Sequence, residues 1–187
     1  MSKSKIELII VPVVLFFGIM YFMVFVVKAN RSEALAYRYM LNNLRRINIA
    51  IKNYAVDMSG KIPDAKNWAD QIIESQSYIQ KEDFITPYSN PKYGIFYNAS
   101  FEGSNIPEID SNSVILFVSG KGKGQWNSSG TKETFLRLSS VGRPYLITWN
   151  YEIYRYDSTT KTTIRISDNA RIKVDDLIWE NTSKNER

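Results

Sequence analysis

Residues 6–27 read IELIIVPVVLFFGIMYFMVFVV, and residues 31–57 continue as RSEALAYRYMLNNLRRINIAIKNYAVD with no strong helix stop between them. Leu8–Val27 is an unbroken apolar run of about the 20 residues a helix needs to cross a bilayer. It is too long for a signal-peptide core and no small-residue cleavage site follows it, so it reads as an anchor that stays in place. The second stretch is amphipathic. Tyr37, Met40, Leu44, Ile47, Ile51, Tyr54 and Met58 recur at alternating steps of three and four, which places them on one stripe of a helix. Arg38, Arg45 and Lys52 fall on another face.

The inventory excludes several chemistries. The chain has no Cys and no His. A disulfide framework is ruled out, as are Ser-His-Asp and Cys-His catalysis and ordinary zinc sites. The charged residues give a net +5 over 187 residues, a mild excess that serves solubility. Beyond the long helix about 130 residues remain, enough for one domain, and an aromatic content of 13% supplies its core.

Gly60 and Pro63 stop the long helix. Asp64 or Asn67 is then placed to cap a short helix with Trp68, Ile72 and Ile73 on one face. A loop follows from Tyr78 to Pro91. Strands are expected over Tyr93–Asn98, Ser113–Ser119, Tyr145–Asn150, Glu152–Tyr156, Thr162–Ile166 and Arg171–Val174, where β-branched and aromatic residues lie between turn formers. Gly120–Gly124 (GKGKG) is a turn, since it lacks the Gly-Lys-Ser/Thr ending of a phosphate loop. Lys121 and Lys123 near Trp126 do not amount to a nucleic-acid surface. Asp157, Asp168, Asp175 and Asp176 do not have EF-hand spacing and read as solvated loop carboxylates. Asn98, Asn127 and Asn181 open Asn-x-Ser/Thr triplets that a chain this rich in Asn and Ser contains by chance.

Two stretches carry a family resemblance. Ile6-Glu7-Leu8-Ile9-Ile10-Val11 resembles the Ile-Glu-Leu-Leu-Val-Val start of type IV pilins and pseudopilins. Asn43-Leu44-Arg45-Arg46-Ile47-Asn48-Ile49-Ala50-Ile51-Lys52-Asn53-Tyr54, followed by Gly60-Lys61-Ile62-Pro63, is similar to the Asn-Leu-(Lys/Arg)-Gln-Ile-Gly-x-Ala-x-x-x-Tyr, Gly-x-x-Pro signature of bacterial pseudopilin-like proteins. Trp68, Phe84-Ile85-Thr86-Pro87, Tyr93-Gly94-Ile95 and Val114–Val118 resemble their later segments more loosely. The resemblance implies that Glu7 partners the N-terminal amine of a neighbouring subunit, a charge-assisted contact that sets register in assembly. Two departures stand out. Ser2-Lys3 occupies the place of the Gly-Phe cleavage pair, so the leader is expected to stay on, with Lys3 or Lys5 offering Glu7 a cation instead. Ser167-Asp168-Asn169-Ala170 stands where the family commonly has an Asp-Gly-His element, so nothing that depends on that element carries over.

The expected architecture is α+β and pilin-like, with a long N-terminal helix packed on a mainly antiparallel β-sheet domain. Residues 1–27 form the transmembrane anchor, 28–58 the amphipathic half of the helix, 59–180 an exported domain and 181–187 a flexible tail. Assembly residues are Glu7, Lys3 and Lys5, and helix-packing residues are Tyr37, Met40, Leu44, Ile47, Ile51 and Tyr54. No catalysis, cofactor, metal, nucleic acid or small-molecule substrate is expected. The partners are the membrane and either the chain itself, related pilin-like subunits or a larger membrane complex. The charges at the two ends of the span do not settle orientation. The resemblance implies a bacterial inner-membrane protein, single-pass, with its domain periplasmic or extracellular. The alternative to a filament or secretion-type subunit is an uncleaved accessory subunit of a larger complex, and an exported enzyme is disfavoured by the missing His and Cys.

Overall fold

A computed structural model describes residues 3–86, 93–118, 125–140 and 144–181, with side chains from Leu15 onward except that of Asn30. Helix α1 runs over Lys3–Asp57. The chain divides within it into two compact units, Met1–Tyr39 and Met40–Arg187. This division falls inside the amphipathic half of the helix. The physical reason is burial: Met40 is the first stripe residue to be wholly enclosed.

The first unit is helical from Lys3. Its apolar side chains from Leu15 to Val27 are exposed, Tyr21 to 77%. Among the described residues α1 is the one helix long and apolar enough to cross a membrane.

The second unit begins with the last turns of α1, which bury Met40, Leu44, Ile47 and Ile51 completely. Burying each such side chain contributes roughly 1.5–3 kcal/mol. The helix ends in a Schellman-type closure: the amide of Gly60 donates to Ala55 O at 2.7 Å, and Ser59 takes the left-handed conformation at φ +57°. Met58 lies just past the helix and is 45% exposed, so the buried stripe stops short of it. Helix α2 follows at Trp68–Ser75.

A seven-stranded sheet forms the rest: β1 (Ile95–Asn98), β2 (Val114–Val118), β3 (Ser129–Gly130), β4 (Tyr145–Thr148), β5 (Ile153–Asp157), β6 (Thr162–Arg165) and β7 (Arg171–Lys173). Their order is β3-β1-β2-β4-β5-β6-β7. Every pairing is antiparallel except β1 with β3. An α+β fold with a mainly antiparallel sheet is what the strand runs predict. Five of the six expected strands are shorter than expected because their outer residues leave the ladder, and β5 keeps five residues but is shifted by one. Tyr93 bridges Ile85, and Ser113 bridges Ile178. Among the strands and α-helices of the described residues, two were not anticipated: β3, only two residues long, and helix α3 over Lys132–Leu138.

Both faces of the central strands β1, β2 and β4 are covered. On one, Phe117 packs edge-on to Phe135 of α3 at 5.6 Å between ring centroids, and Phe135 meets Tyr156 and Trp179, each at 5.2 Å. Phe96, Val114, Leu146 and Val174 complete that core. On the other, Tyr97 stacks on Trp68 of α2 at 5.7 Å. Tyr145 and Ile147 are buried there as well, beside the end of β4 that α1 contacts. The domain reaches one residue further than 180. Asn181 is 5% exposed and its amide donates to Ser104 Oγ at 2.8 Å. The rest of the expected tail lies outside the described residues, as do Gly120–Gly124 and the prolines Pro87 and Pro91.

Candidate assembly interface

The side chains of Glu7, Lys3 and Lys5 lie outside the described residues, although their backbone belongs to α1. The six helix-packing residues separate into three groups. Met40, Leu44, Ile47 and Ile51 are fully buried, Tyr54 is half-buried, and Tyr37, half-buried, belongs to the first unit. Burial also pushes the Tyr54 phenol above its ordinary pKa, and the Asp64 carboxylate adds to the effect.

Sequence reasoning missed the polar residues that join this helix to the sheet. Asn48 is fully buried and its Nδ2 donates to Thr148 O at 2.9 Å. One turn later, Lys52 Nζ lies 4.6 Å from the centroid of the Trp149 ring and 3.8 Å from that of Tyr151, within range of a cation–π attraction. Asn48 and Lys52 are four residues apart and so share a face. Together they hold the turn between β4 and β5. Tyr151 occupies that turn at φ +71°, a backbone region that favours Gly or Asn and is costly for an aromatic residue. The spacing of Asn48 and Lys52 was visible in the sequence. Their target, a hundred residues away, was not.

Further contacts fix α1 on its other flank. Arg46 Nη1 pairs with Asp83 at 2.7 Å, and Arg46 Nη2 donates to Tyr78 O at 2.6 Å. Gln76 Nε2 donates to Asp57 Oδ2 at 3.1 Å. The expected cap of α2 is replaced. Asn67 makes no side-chain capping bond, and Asn127 Oδ1 instead accepts from the amides of Ala69 at 2.9 Å and Asp70 at 3.3 Å. Asp64, the other expected cap, accepts from Lys66 N at 2.8 Å, and this bond leads the effects that lower its pKa. Trp126 Nε1 donates to Asp70 Oδ1 at 2.7 Å, and Lys81 lies over the Trp126 ring at 4.6 Å.

The Asn98 triplet is structural: that side chain is fully buried and donates to Val114 O and Trp179 O. At the Asp168 turn, Asn169 takes φ +61°, a backbone region that Asn tolerates through its local hydrogen bonding. Asp168 accepts from Ala170 N at 3.0 Å and pairs with Arg165 at 3.0 Å, and these contacts lower its pKa. Asp157 is similarly lowered by the amide of Thr159. Lys132, 2.6 Å from Asp175, holds that carboxyl below its ordinary range. The loop carboxylates thus serve turns and ion pairs. Among the described residues no three of the acidic side chains gather as metal ligands.

The arrangement is a helix with an exposed apolar first part and a second part held to the end of β4 and the turn after it by Asn48 and Lys52, and to Tyr78 and Asp83 by Arg46. Compared with protein-family models, with curated proteins and with solved structures, the chain matches none.

Proposed function

We propose that the chain is a membrane-anchored, non-catalytic structural subunit, pilin-like or pseudopilin-like, which assembles through its N-terminal helix into a filament or secretion-type assembly. The observation that carries the reading is the division of labour along α1: Leu15–Val27 expose their apolar side chains while Met40, Leu44, Ile47 and Ile51 bury theirs in the second unit. A helix of that kind uses one segment to meet lipid or other helices and the other to carry a domain. In this reading the anchor sits in a bacterial inner membrane with the domain outside, and Glu7 answers a cation of its own or a neighbouring chain.

Ser2-Lys3 favours a second reading, an uncleaved accessory subunit of a larger membrane complex. The mass of the N-terminal peptide from the native membrane separates the two. A peptide that starts at Lys3, above all one N-methylated there, supports the filament subunit, and an intact Ser2 with migration in a large complex supports the accessory subunit. A monomer in mild detergent with an intact Ser2 overturns both. Protease added to spheroplasts should digest the domain, and protection of the domain reverses the orientation.

A further inference from the structure

We propose that Asp64 and Glu102, with the hydroxyl of Tyr97 behind them, form a site for a hard divalent cation of the calcium type. All three residues belong to the second unit, so the site does not depend on the reading of α1 as an anchor. Asp64 lies in the connection between α1 and α2, and Glu102 follows β1 and the short turn of helix at Ala99–Phe101. Backbone contacts hold these two loops together: Ile62 N donates to Ser104 O at 3.3 Å, Ile106 N donates to Gly60 O at 2.9 Å, and Lys61 bridges Asn105. Across that contact the Asp64 and Glu102 carboxyl groups come within hydrogen-bonding reach of each other. Two carboxylates that close repel unless a proton or a cation stands between them. Lys66, the cation nearest in sequence to Asp64, makes no ion pair with it among the described residues; its amide, not its ammonium, holds Asp64 Oδ1 at 2.8 Å.

Tyr97 stands behind the pair. It is fully enclosed, and its hydroxyl has no hydrogen-bond partner, a costly state for a buried polar group. Its ring is fixed by stacking on Trp68, and the charges acting on its oxygen are those of Glu102 and Asp64, with the Tyr54 phenol beside them. A water on a cation held by the two carboxylates would reach this hydroxyl and satisfy it. The donors choose the metal class. The chain offers neither His nor Cys, and carboxylate, hydroxyl and water oxygens suit hard cations. Calcium accepts irregular sets of about six to eight oxygens, several of them water, whereas magnesium demands a regular octahedron and dehydrates reluctantly. Two carboxylates balance the charge of one such ion, and so few protein ligands place the dissociation constant on the order of 10⁻⁴–10⁻³ M.

The test titrates Tb³⁺, a calcium substitute whose emission is sensitised by a nearby tyrosine, into the full chain in an uncharged detergent and then displaces it with Ca²⁺ or Mg²⁺. The expected result is sensitised emission that calcium removes and magnesium removes poorly. Glu102→Gln, a change at an exposed residue, should weaken binding about tenfold by deleting one ligand charge. Tyr97→Asn risks the core, so the hydroxyl is tested by Tyr97→Phe, which keeps the ring and should also weaken binding, by about tenfold. Asp168→Asn, at a carboxylate of the distant β6–β7 turn, should change nothing. Emission that calcium does not displace, an affinity indifferent to Glu102→Gln, or no emission at all overturns the proposal. In the last case an infrared band of a protonated carboxyl that disappears in Glu102→Gln would show that the pair shares a proton and holds no metal.

Discussion

Asn48 and Thr148 are one hundred positions apart in the chain, and a single hydrogen bond from the Asn48 amide to the Thr148 carbonyl joins α1 to the end of β4. Both residues are fully buried, so neither group can turn to water instead. Asn48→Leu leaves the Thr148 carbonyl short of this donor, and the fragment from Met40 onward should lose about 1–3 kcal/mol in a denaturant titration. An unchanged midpoint would show that the bond contributes nothing net.

Ile47→Asp should unfold the same fragment, because the site is fully enclosed and an unpaired carboxylate there costs several kcal/mol. Ile47→Val, which removes one methylene, should cost only about 1 kcal/mol. Circular dichroism distinguishes the outcomes, and a folded Ile47→Asp fragment would mean the stripe is not core.

Tyr151→Gly trades a strained backbone against a ring contact. Relief of the left-handed conformation is worth about 1–2 kcal/mol, and the lost cation–π contact with Lys52 about 0.5–1 kcal/mol. The melting temperature should therefore hold or rise slightly. A clear fall would mean that the ring is held by more than Lys52.

Asn127→Ala removes the acceptor at the start of α2 and should cost about 1 kcal/mol, as for other helix caps. Trp126 hydrogen-bonds the same Asp70 that Asn127 contacts, so the change should also shift tryptophan fluorescence. Asn67→Ala, at the sequence-adjacent cap position, should do neither.

The pH dependence has two arms. Asp157, Asp168 and Asp175 are held below their ordinary value of 3.8 by amides, Arg165 and Lys132. The stabilisation from these groups is complete above that value and is lost as pH falls through their lowered folded values. Tyr97 is fully enclosed, and burial raises its pKa well above 10.0. Its contribution is complete below 10.0 and is lost as pH climbs through the raised value. Tyr97→Phe should therefore move alkaline unfolding to higher pH while leaving the acid limb alone.

The period of Met40, Leu44, Ile47 and Ile51 made the buried stripe legible, since helix geometry maps directly onto spacing. The six longer strands were legible from composition for the same local reason. The cap from Asn127 was not, because sequence shows only the adjacent Asn67. Strand β3 was hidden by its length, and α3 by a seven-residue run too short to establish a period. At the interface, the apolar half of the contact could be read and the polar half could not. Asn48 and Lys52 acquire their roles from a turn that exists only once β4 and β5 have paired.

The sheet begins and ends on its smallest strands, two residues in β3 and three in β7, and β7 carries Arg171 and Lys173 on either side of Ile172. Short, charged borders give an incoming chain almost no ladder to extend. Edge-to-edge polymerisation, the usual hazard of an open sheet at high local density, is thereby suppressed. Should copies of the chain assemble through their helices as proposed, these borders would keep their sheets apart.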